Sequence, residues 1–222
     1  MKSSVRFPGE SDEYRDARNE LLAAEAELRR QIESVALRRR QLPPGGAVSQ
    51  NYVFDSEKGP VKLSELFAES KEPTLILYSY MFGPKMETPC TSCTSILDAL
   101  DGQAPHVNDK TNFAVVARSP IDRVLSFARN RGWRNLRLLS SANNSYHPDY
   151  HGETPEGDQM PMLNVFTKRD GTIHHFWGSE LLYTRPEPGQ DGRHVDMIWP
   201  LWNLFDTTPE GRGADWYPKL WY

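Results

Sequence analysis

Cysteine is scarce in this chain, because only two of its 222 residues are cysteine. A secreted scaffold would carry more cysteines, spread far enough apart to close long loops, so the composition excludes that class. Long apolar runs are also lacking, since none approaches the roughly 20 residues that a membrane-spanning helix needs. Residues 1–20 are charged and lack the apolar stretch of a secretory signal. We therefore expect a cytoplasmic protein with no membrane partner.

An excess of positive charge is missing as well. The chain has 26 Lys and Arg against 30 Asp and Glu, which gives a formal net charge of -4. Without a basic field we expect no nucleic-acid partner. The sequence also lacks a nucleophilic serine elbow, a phosphate-binding loop and a paired-carboxylate site. What is present is an ordinary globular composition, in a length that is ample for one domain with a hydrophobic core.

Residues 11–41 are predicted to form one long helix. Ser11 can cap its start, and the arginines at 38–40 suit the negative end of the helix dipole. Apolar residues recur at spacings of three and four, a stripe typical of a helix–helix seam. Prolines and glycines at 43–46 then end the helix. We expect an N-terminal helical arm and linker over 1–46 and a second domain over 47–222, with the arm as a candidate homodimer contact.

Strand and helix patterns alternate through the rest of the chain. Buried strands are predicted at 74–80, 112–118 and 136–140, and helices from the cysteine pair to about Leu100 and over 120–131. The segments 163–167 and 172–177 are predicted to pair as a hairpin around Asp170-Gly171. This order predicts an α/β domain whose mixed central sheet is flanked by helices.

The two cysteines, Cys90 and Cys93, follow a predicted buried strand and open a predicted helix. The free amides and the dipole at a helix N-terminus favour a thiolate over a thiol. Only the thiolate attacks a disulfide or a peroxide. Because two residues separate the cysteines, the second sulfur can reach the first. We therefore predict that Cys90 is the nucleophile and that Cys93 resolves the mixed disulfide.

Two other interpretations of the cysteines stay open. They are consistent with a pair of buried, inert thiols at a helix start, since free cysteine is often buried. They would also supply two zinc ligands if His147 and His151 supplied the others, although Pro148 interrupts that pair. His174 and His175 alternate faces of a predicted strand, so at most one of them faces a pocket.

Several segments together resemble the bacterial domain-of-unknown-function family eight-nine-nine, which is described as predicted dithiol-disulfide oxidoreductases of thioredoxin-like fold. The resemblance covers nearly the whole chain. Its most specific segments are ARNELLAAEAELRR, LPPGGAVSQNYVFDSEKGPVKLSELF, YMFGPKMETPCTSC, VVARSPIDRVLSFARNRGW and LLSSANNSYHPDY. The resemblance implies a thioredoxin-like mixed sheet with a redox-active CxxC pair.

The loop before the cysteines differs from that of thioredoxin, in which the cysteines follow the strand directly. Here nine residues separate Tyr80 from Cys90, a length closer to that of peroxiredoxins. Those proteins place a proline and then a threonine before the peroxidatic cysteine, and Thr88 is one residue short of that spacing. A peroxidatic thiolate also needs donors for the leaving oxygen. Thr88 and Arg118 are the candidates, although a surface salt bridge is the simpler role for Arg118.

The thioredoxin-like resemblance also implies a cis-proline that faces the cysteines from the start of a strand. Pro161 occupies the matching place, just before the predicted strand 163–167. The cis form of an X-Pro bond costs only ~0.5–1 kcal/mol, so tertiary packing can hold it. A cis bond would leave the backbone of Met160 free to pair with an extended substrate, which makes Met160, Pro161 and Thr88 the expected substrate-binding residues.

These observations predict a thiol-disulfide oxidoreductase that uses Cys90 and Cys93, needs no organic cofactor and contains no metal. Its expected partners are a protein or small-molecule disulfide, or a hydroperoxide, and a thiol reductant. The alternative is a non-catalytic binding or assembly module on a thioredoxin-like scaffold, with the N-terminal helix as its interaction arm.

Overall fold

The computed structural model describes residues 3–188, 195–213 and 215–222. Residues 1–2 of the predicted N-terminal arm, and residues 189–194 and 214 of the predicted second domain, lie outside the described residues. The chain divides into two compact units, Met1–Pro43 and Pro44–Tyr222. The domain boundary after residue 46 remains a prediction.

The first unit is dominated by one helix, α1, over Asp12–Arg40. Ser11 caps it, because its hydroxyl accepts a hydrogen bond from the Tyr14 backbone N–H at 3.1 Å. Acidic residues occupy the first turn and arginines the last. Both sets of charges interact favourably with the helix dipole and stabilise the two ends of the helix. The long N-terminal helix predicted from the sequence is confirmed.

The second unit is built on a seven-stranded mixed sheet in the order β2-β1-β5-β4-β3-β6-β7. Strands β3, β4 and β5 run parallel, whereas β6 and β7 form an antiparallel hairpin beside β3. The strands are β1 Val53–Ser56, β2 Val61–Lys62, β3 Thr74–Tyr80, β4 Asn112–Ala117, β5 Leu138–Ser140, β6 Met162–Arg169 and β7 Thr172–Gly178. The predicted thioredoxin-like mixed sheet flanked by helices is confirmed.

Helices cover both faces of this sheet. They are α2 Thr91–Lys110, α3 Ile121–Arg131, α4 Tyr146–Asp149 and α5 Pro200–Phe205. Alternation along β3 divides the core in two. Tyr78 and Tyr80 join the cluster of buried side chains that contains α2, α3 and α5, and Leu75 and Leu77 join the opposite cluster, which contains Tyr146 of α4. The cysteine pair belongs to the first cluster.

One predicted helix boundary is wrong. Helix α2 does not end near Leu100 but continues through Pro105 to Lys110. The last turns are held by burial, because Ala104 is fully buried and Val107 packs against the same core. Tertiary packing therefore outweighs the loss of one backbone donor at the proline. In the part of the chain that the structure describes, no helix is both long and apolar enough to cross a membrane.

Candidate functional site

The cysteine pair lies where the loop after β3 enters α2. Cys90 is the N-cap residue of α2, and its sulfur accepts a hydrogen bond from the Cys93 backbone N–H at 3.5 Å. The Cys90 backbone N–H donates to the Met81 carbonyl at 3.0 Å, which anchors the helix start to the end of β3. Both cysteines are free thiols, and Cys90 is partly exposed whereas Cys93 is buried. The predicted strand–loop–CxxC–helix arrangement is therefore present.

The two sulfurs differ in their acidity. The Cys93 thiol donates to the Cys90 sulfur and, with the backbone N–H groups of Cys93 and Ser92, lowers the pKa of Cys90 to about 6, although burial acts in the opposite direction. The same hydrogen bond and complete burial raise the pKa of Cys93 well above its ordinary value. At neutral pH the partly exposed Cys90 sulfur is therefore the thiolate and the buried Cys93 sulfur is the thiol.

Hydroxyl groups from α2 and β3 lie close to the pair. The Thr94 hydroxyl donates to the Cys90 carbonyl at 2.8 Å, and the Tyr80 hydroxyl lies 2.8 Å from the Thr94 oxygen. Because Thr94 uses its proton on the carbonyl, Tyr80 is the donor of this second bond. The fully buried Tyr78 lies beside Cys93 on the same side of the sheet.

The loop that precedes Cys90 is held by Arg123 of α3. Its guanidinium lies 4.5 Å above the centre of the Phe82 ring. The same group donates to four loop carbonyls, those of Gly83, Pro84, Met86 and Glu87. Nothing in the sequence distinguishes Arg123 from the other arginines near it, so its role could not be predicted.

Replacing Arg123 with alanine is expected to loosen this loop. Loss of a charged donor that serves two partly buried and two exposed carbonyls should lower the free energy of unfolding by about 1–2 kcal/mol. It should also speed trypsin cleavage after Lys85, which lies exposed in the loop. Urea denaturation and limited proteolysis measure both effects. Arg129→Ala, at an exposed position of the same helix, is the matched control, and equal behaviour of the two variants would contradict the assignment.

Arg118 points its donors away from the cysteine loop. Its guanidinium forms an ion pair with Glu153 at 3.1 Å and donates to carbonyls in the segment after β5, at Ser141 and Asn144. The salt-bridge role for Arg118 is therefore the one that the structure contains. Thr88 lies exposed in the loop, two residues before Cys90.

The cis-proline prediction is wrong, because no peptide bond among the described residues is cis and the Met160–Pro161 bond is therefore trans. The Met160 backbone N–H donates to the Gly152 carbonyl at 2.9 Å, so that amide is already paired within the protein. The trans chain leads from this bond directly into β6, where Met162 pairs with Ser79 of β3. Met160 and Pro161 thus lie next to the C-terminal end of β3, but without the cis bend that the resemblance implied.

The two histidines considered as zinc ligands, His147 and His151, have different surroundings. His147 is fully buried, its Nδ1 is hydrogen-bonded to the Ser141 hydroxyl, and burial lowers its pKa to about 3. His151 is exposed and has a positive φ of 56°. Among the described residues, no group of three or more His, Cys, Asp or Glu side chains is placed to hold a metal ion. The zinc interpretation therefore lacks a ligand set in this part of the chain.

A cavity of about 570 Å³ lies beside β6 and β7, and neither cysteine lines it. His175 and Asn164 line it, with the His175 Nε2 and the Asn164 Oδ1 2.8 Å apart. His174 instead contacts the Gly45 carbonyl through Nδ1 at 3.1 Å. One histidine of the adjacent pair faces a cavity, as the alternation of the strand predicts.

Comparisons with known proteins give one match over nearly the whole chain. A family model described as bacterial protein of unknown function (DUF899) matches residues 5–222. No curated protein sequence matches the chain.

Solved structures similar to it include three proteins at low identity. The exposed lipoprotein thioredoxin of Streptococcus pneumoniae is 12% identical, with 68% of this chain and 99% of that chain covered and a TM-score of 0.40. Thioredoxin peroxidase I of Plasmodium yoelii is 19% identical, with 81% and 98% covered and a TM-score of 0.44. The 2-Cys peroxiredoxin of Plasmodium vivax is 17% identical, with 72% and 93% covered and a TM-score of 0.44.

Proposed function

The chain belongs to the DUF899 family of bacterial proteins, and we propose that it acts as a thiol-disulfide oxidoreductase through Cys90 and Cys93. The observation that carries the proposal is the division of labour between the two sulfurs. Cys90 is partly exposed with a pKa lowered to about 6, and Cys93 is buried with a raised pKa. A structural pair of inert thiols has no need of this asymmetry, whereas a nucleophile and its resolving partner require it.

The proposed reaction reduces a substrate disulfide, R–S–S–R′. The Cys90 thiolate attacks one sulfur, a Cys90–S–S–R bond forms, and R′–S⁻ leaves with the electron pair of the broken bond. Cys93 then attacks Cys90, its S–H proton passes to the departing R–S⁻, and an intramolecular disulfide forms. The substrate gains two electrons and the dithiol loses two. A thiol reductant restores the dithiol by the same exchange, so the reaction needs no organic cofactor.

The substrate is expected to approach from the exposed side of Cys90, where Thr88, Met160 and Pro161 are the proposed contacts. Thr88 is exposed in the preceding loop, and the other two residues lie at the neighbouring strand edge. The trans Met160–Pro161 bond removes the argument for an extended peptide paired with Met160. We therefore propose a disulfide substrate without restricting it to proteins, and Thr88→Ala is expected to raise KM more than it lowers kcat.

The hydrogen-bond donors near Cys90 favour disulfide reduction over the reduction of hydroperoxides by the same pair. The donors directed at the Cys90 sulfur are the Cys93 thiol and the backbone N–H groups of Cys93 and Ser92. Arg118 and Arg123 use their guanidinium groups on Glu153 and on backbone carbonyls. A peroxidase needs a positioned donor for the leaving oxygen. We expect hydrogen peroxide to consume Cys90 no faster than its thiolate fraction alone explains.

The test is selective alkylation followed by a redox titration. Iodoacetamide at neutral pH should label Cys90 in the folded protein and Cys93 only after denaturation, as read by peptide mass spectrometry. Titration against mixtures of reduced and oxidised glutathione should convert both thiols reversibly to one disulfide. Equal labelling of the two cysteines would contradict the division of roles. Two thiols that fail to form a disulfide in the folded protein would instead favour the binding or assembly module.

A further inference from the structure

Tyr78 is an unexplained polar residue in the core beside the cysteines. It lies in the middle of the buried strand β3, and its side chain is fully buried. Within the described residues its hydroxyl has no hydrogen-bond partner of regular geometry. The large majority of buried hydroxyl groups in proteins are paired, because an unpaired one loses its hydration without compensation. A tyrosine in this place therefore calls for a role that phenylalanine would not fill.

Alternation along β3 puts Tyr78 on the same face as Tyr80, whose hydroxyl lies 2.8 Å from the Thr94 oxygen, so Tyr78 faces the first turn of α2, which carries Cys93. Tyr78 and Cys93 belong to the same cluster of buried side chains, and the Tyr78 hydroxyl lowers the pKa of Cys93 against the larger effects of Cys90 and burial, which raise it. The Met81 backbone N–H acts on Cys93 in the same direction as Tyr78. Two donors, one from a side chain and one from the backbone, thus favour the thiolate form of Cys93.

We infer that Tyr78 donates a hydrogen bond to the Cys93 thiolate as that thiolate forms, and so sets the rate at which Cys93 resolves the mixed disulfide. The inference rests on the proposed function, because it concerns the second step of that reaction. In this step the Cys93 S–H bond breaks, the Cys90–Cys93 bond forms, and R–S⁻ leaves with the electron pair and takes up the proton. Negative charge develops on Cys93 before the new bond is complete, in a place where water does not reach it.

Tyr78 acts in this step as a donor and not as a base. Its burial, with the nearby cysteines adding to the effect, raises the pKa of Tyr78 well above its ordinary value, so the phenol keeps its proton. Two other hydroxyls near the pair, those of Tyr80 and Thr94, bond to each other. Asp98 of α2 is bound to Arg131 and Trp133. The groups that shift the pKa of Cys93 are thus Cys90, Tyr78 and the Met81 amide.

Tyr78→Phe tests this role with little risk to the fold. The change removes one oxygen that has no regular partner within the described residues, so the variant should be as stable as the wild type or more stable. Tyr146→Phe is the matched control, because it removes the same group from an equally buried tyrosine in the cluster on the other face of the sheet. Its hydroxyl bonds to Asn164 and not to a sulfur.

The reaction to follow is that of the reduced protein with one equivalent of dithiobis(nitrobenzoate), a small aromatic disulfide. Attack by Cys90 releases a first coloured thiolate, and resolution by Cys93 releases a second. In Tyr78→Phe we expect the first phase unchanged and the second slowed about tenfold, since a hydrogen bond to a charged group has this magnitude. The pH midpoint of the second phase should move upward. The reduction potential should stay unchanged, because Cys93 is a thiol in the reduced protein and the bond forms only as its thiolate develops.

Tyr146→Phe should leave both phases at the wild-type rate. A second phase in Tyr78→Phe within twofold of the wild type, with an unmoved pH midpoint, would overturn the inference. A slower first phase would show that the change disturbs Cys90 as well, and would also overturn it. A wild-type protein that releases only one thiolate would instead refute the proposed function. The two failures are therefore distinguishable.

Discussion

Replacing Cys93 with serine is expected to turn the protein into a covalent trap, with one substrate thiol held on Cys90 per chain. The reason lies in the order of the two steps. The first needs only the Cys90 thiolate, and serine keeps a hydroxyl donor next to that sulfur in place of the Cys93 thiol, the largest cause of the lowered pKa of Cys90. The second step needs a second sulfur, and the chain has only two cysteines. Turnover with a disulfide substrate should fall to the uncatalysed level, and intact mass spectrometry should find the adduct.

Two companion variants separate the contributions of Cys93. Cys90→Ser should form no adduct and show no turnover, because the remaining sulfur is buried and protonated. Cys93→Ala should form the adduct, but with a pH midpoint above that of Cys93→Ser, because alanine removes the donor to the Cys90 thiolate. An adduct on Cys93 in the Cys90→Ser variant would reverse the two roles. Steady turnover by Cys93→Ser would show that an external thiol, and not Cys93, resolves the mixed disulfide.

The sequence was sufficient to predict the frame of this site, because each part of the frame depends on local rules. A run of apolar residues predicts β3, and a polar loop separates it from the cysteines. The cap position of Cys90 follows from the start of the next helical pattern, and the structure has Cys90 as the N-cap residue of α2. Alternation along the predicted strand 172–177 was likewise enough to predict that at most one of His174 and His175 faces a pocket. None of these predictions requires knowledge of contacts between distant segments.

What the sequence could not provide depends on such contacts. Arg123 acts on the loop across 36–40 positions of the chain, and an arginine on a helix surface carries no mark of that role. The bond at Pro161 is trans, the form that an X-Pro bond prefers by ~0.5–1 kcal/mol, and only contacts within the fold could have reversed that preference. Tyr78 left only a weak signal, since it is one of four hydroxyl-bearing residues in β3, with Thr74, Ser79 and Tyr80. That signal gains its meaning only when the fold brings Cys93 beside it.

The free energy of unfolding of the reduced protein is expected to rise as the pH is raised from 6 to 8.5. The pKa of Cys90 is lowered to about 6 in the folded protein, and an unperturbed thiol in the unfolded chain has a pKa of about 8.5. Between these values the unfolded chain binds a proton that the folded protein has released. Stability therefore increases with pH in this window, is complete above the unfolded pKa, and is lost as the pH falls through the folded pKa. The full effect is about 3 kcal/mol.

Urea denaturation of the reduced protein at several pH values measures this dependence, and Cys90→Ser is its control. The variant lacks the ionisable group, so its stability should stay nearly flat between pH 6.5 and 8.5. Below that window both proteins should lose stability together, because burial lowers the pKa of His147 to about 3 in the folded state and the unfolded chain gains the proton. Cys93 stays protonated throughout the window in the folded protein, and the proton that its thiol begins to lose in the unfolded chain near pH 8.5 affects both proteins alike. The difference between the two proteins therefore isolates the Cys90 thiolate. Parallel curves from pH 6.5 to 8.5 would mean that the folded protein does not stabilise this thiolate, and the nucleophile would then lose the physical basis assigned to it.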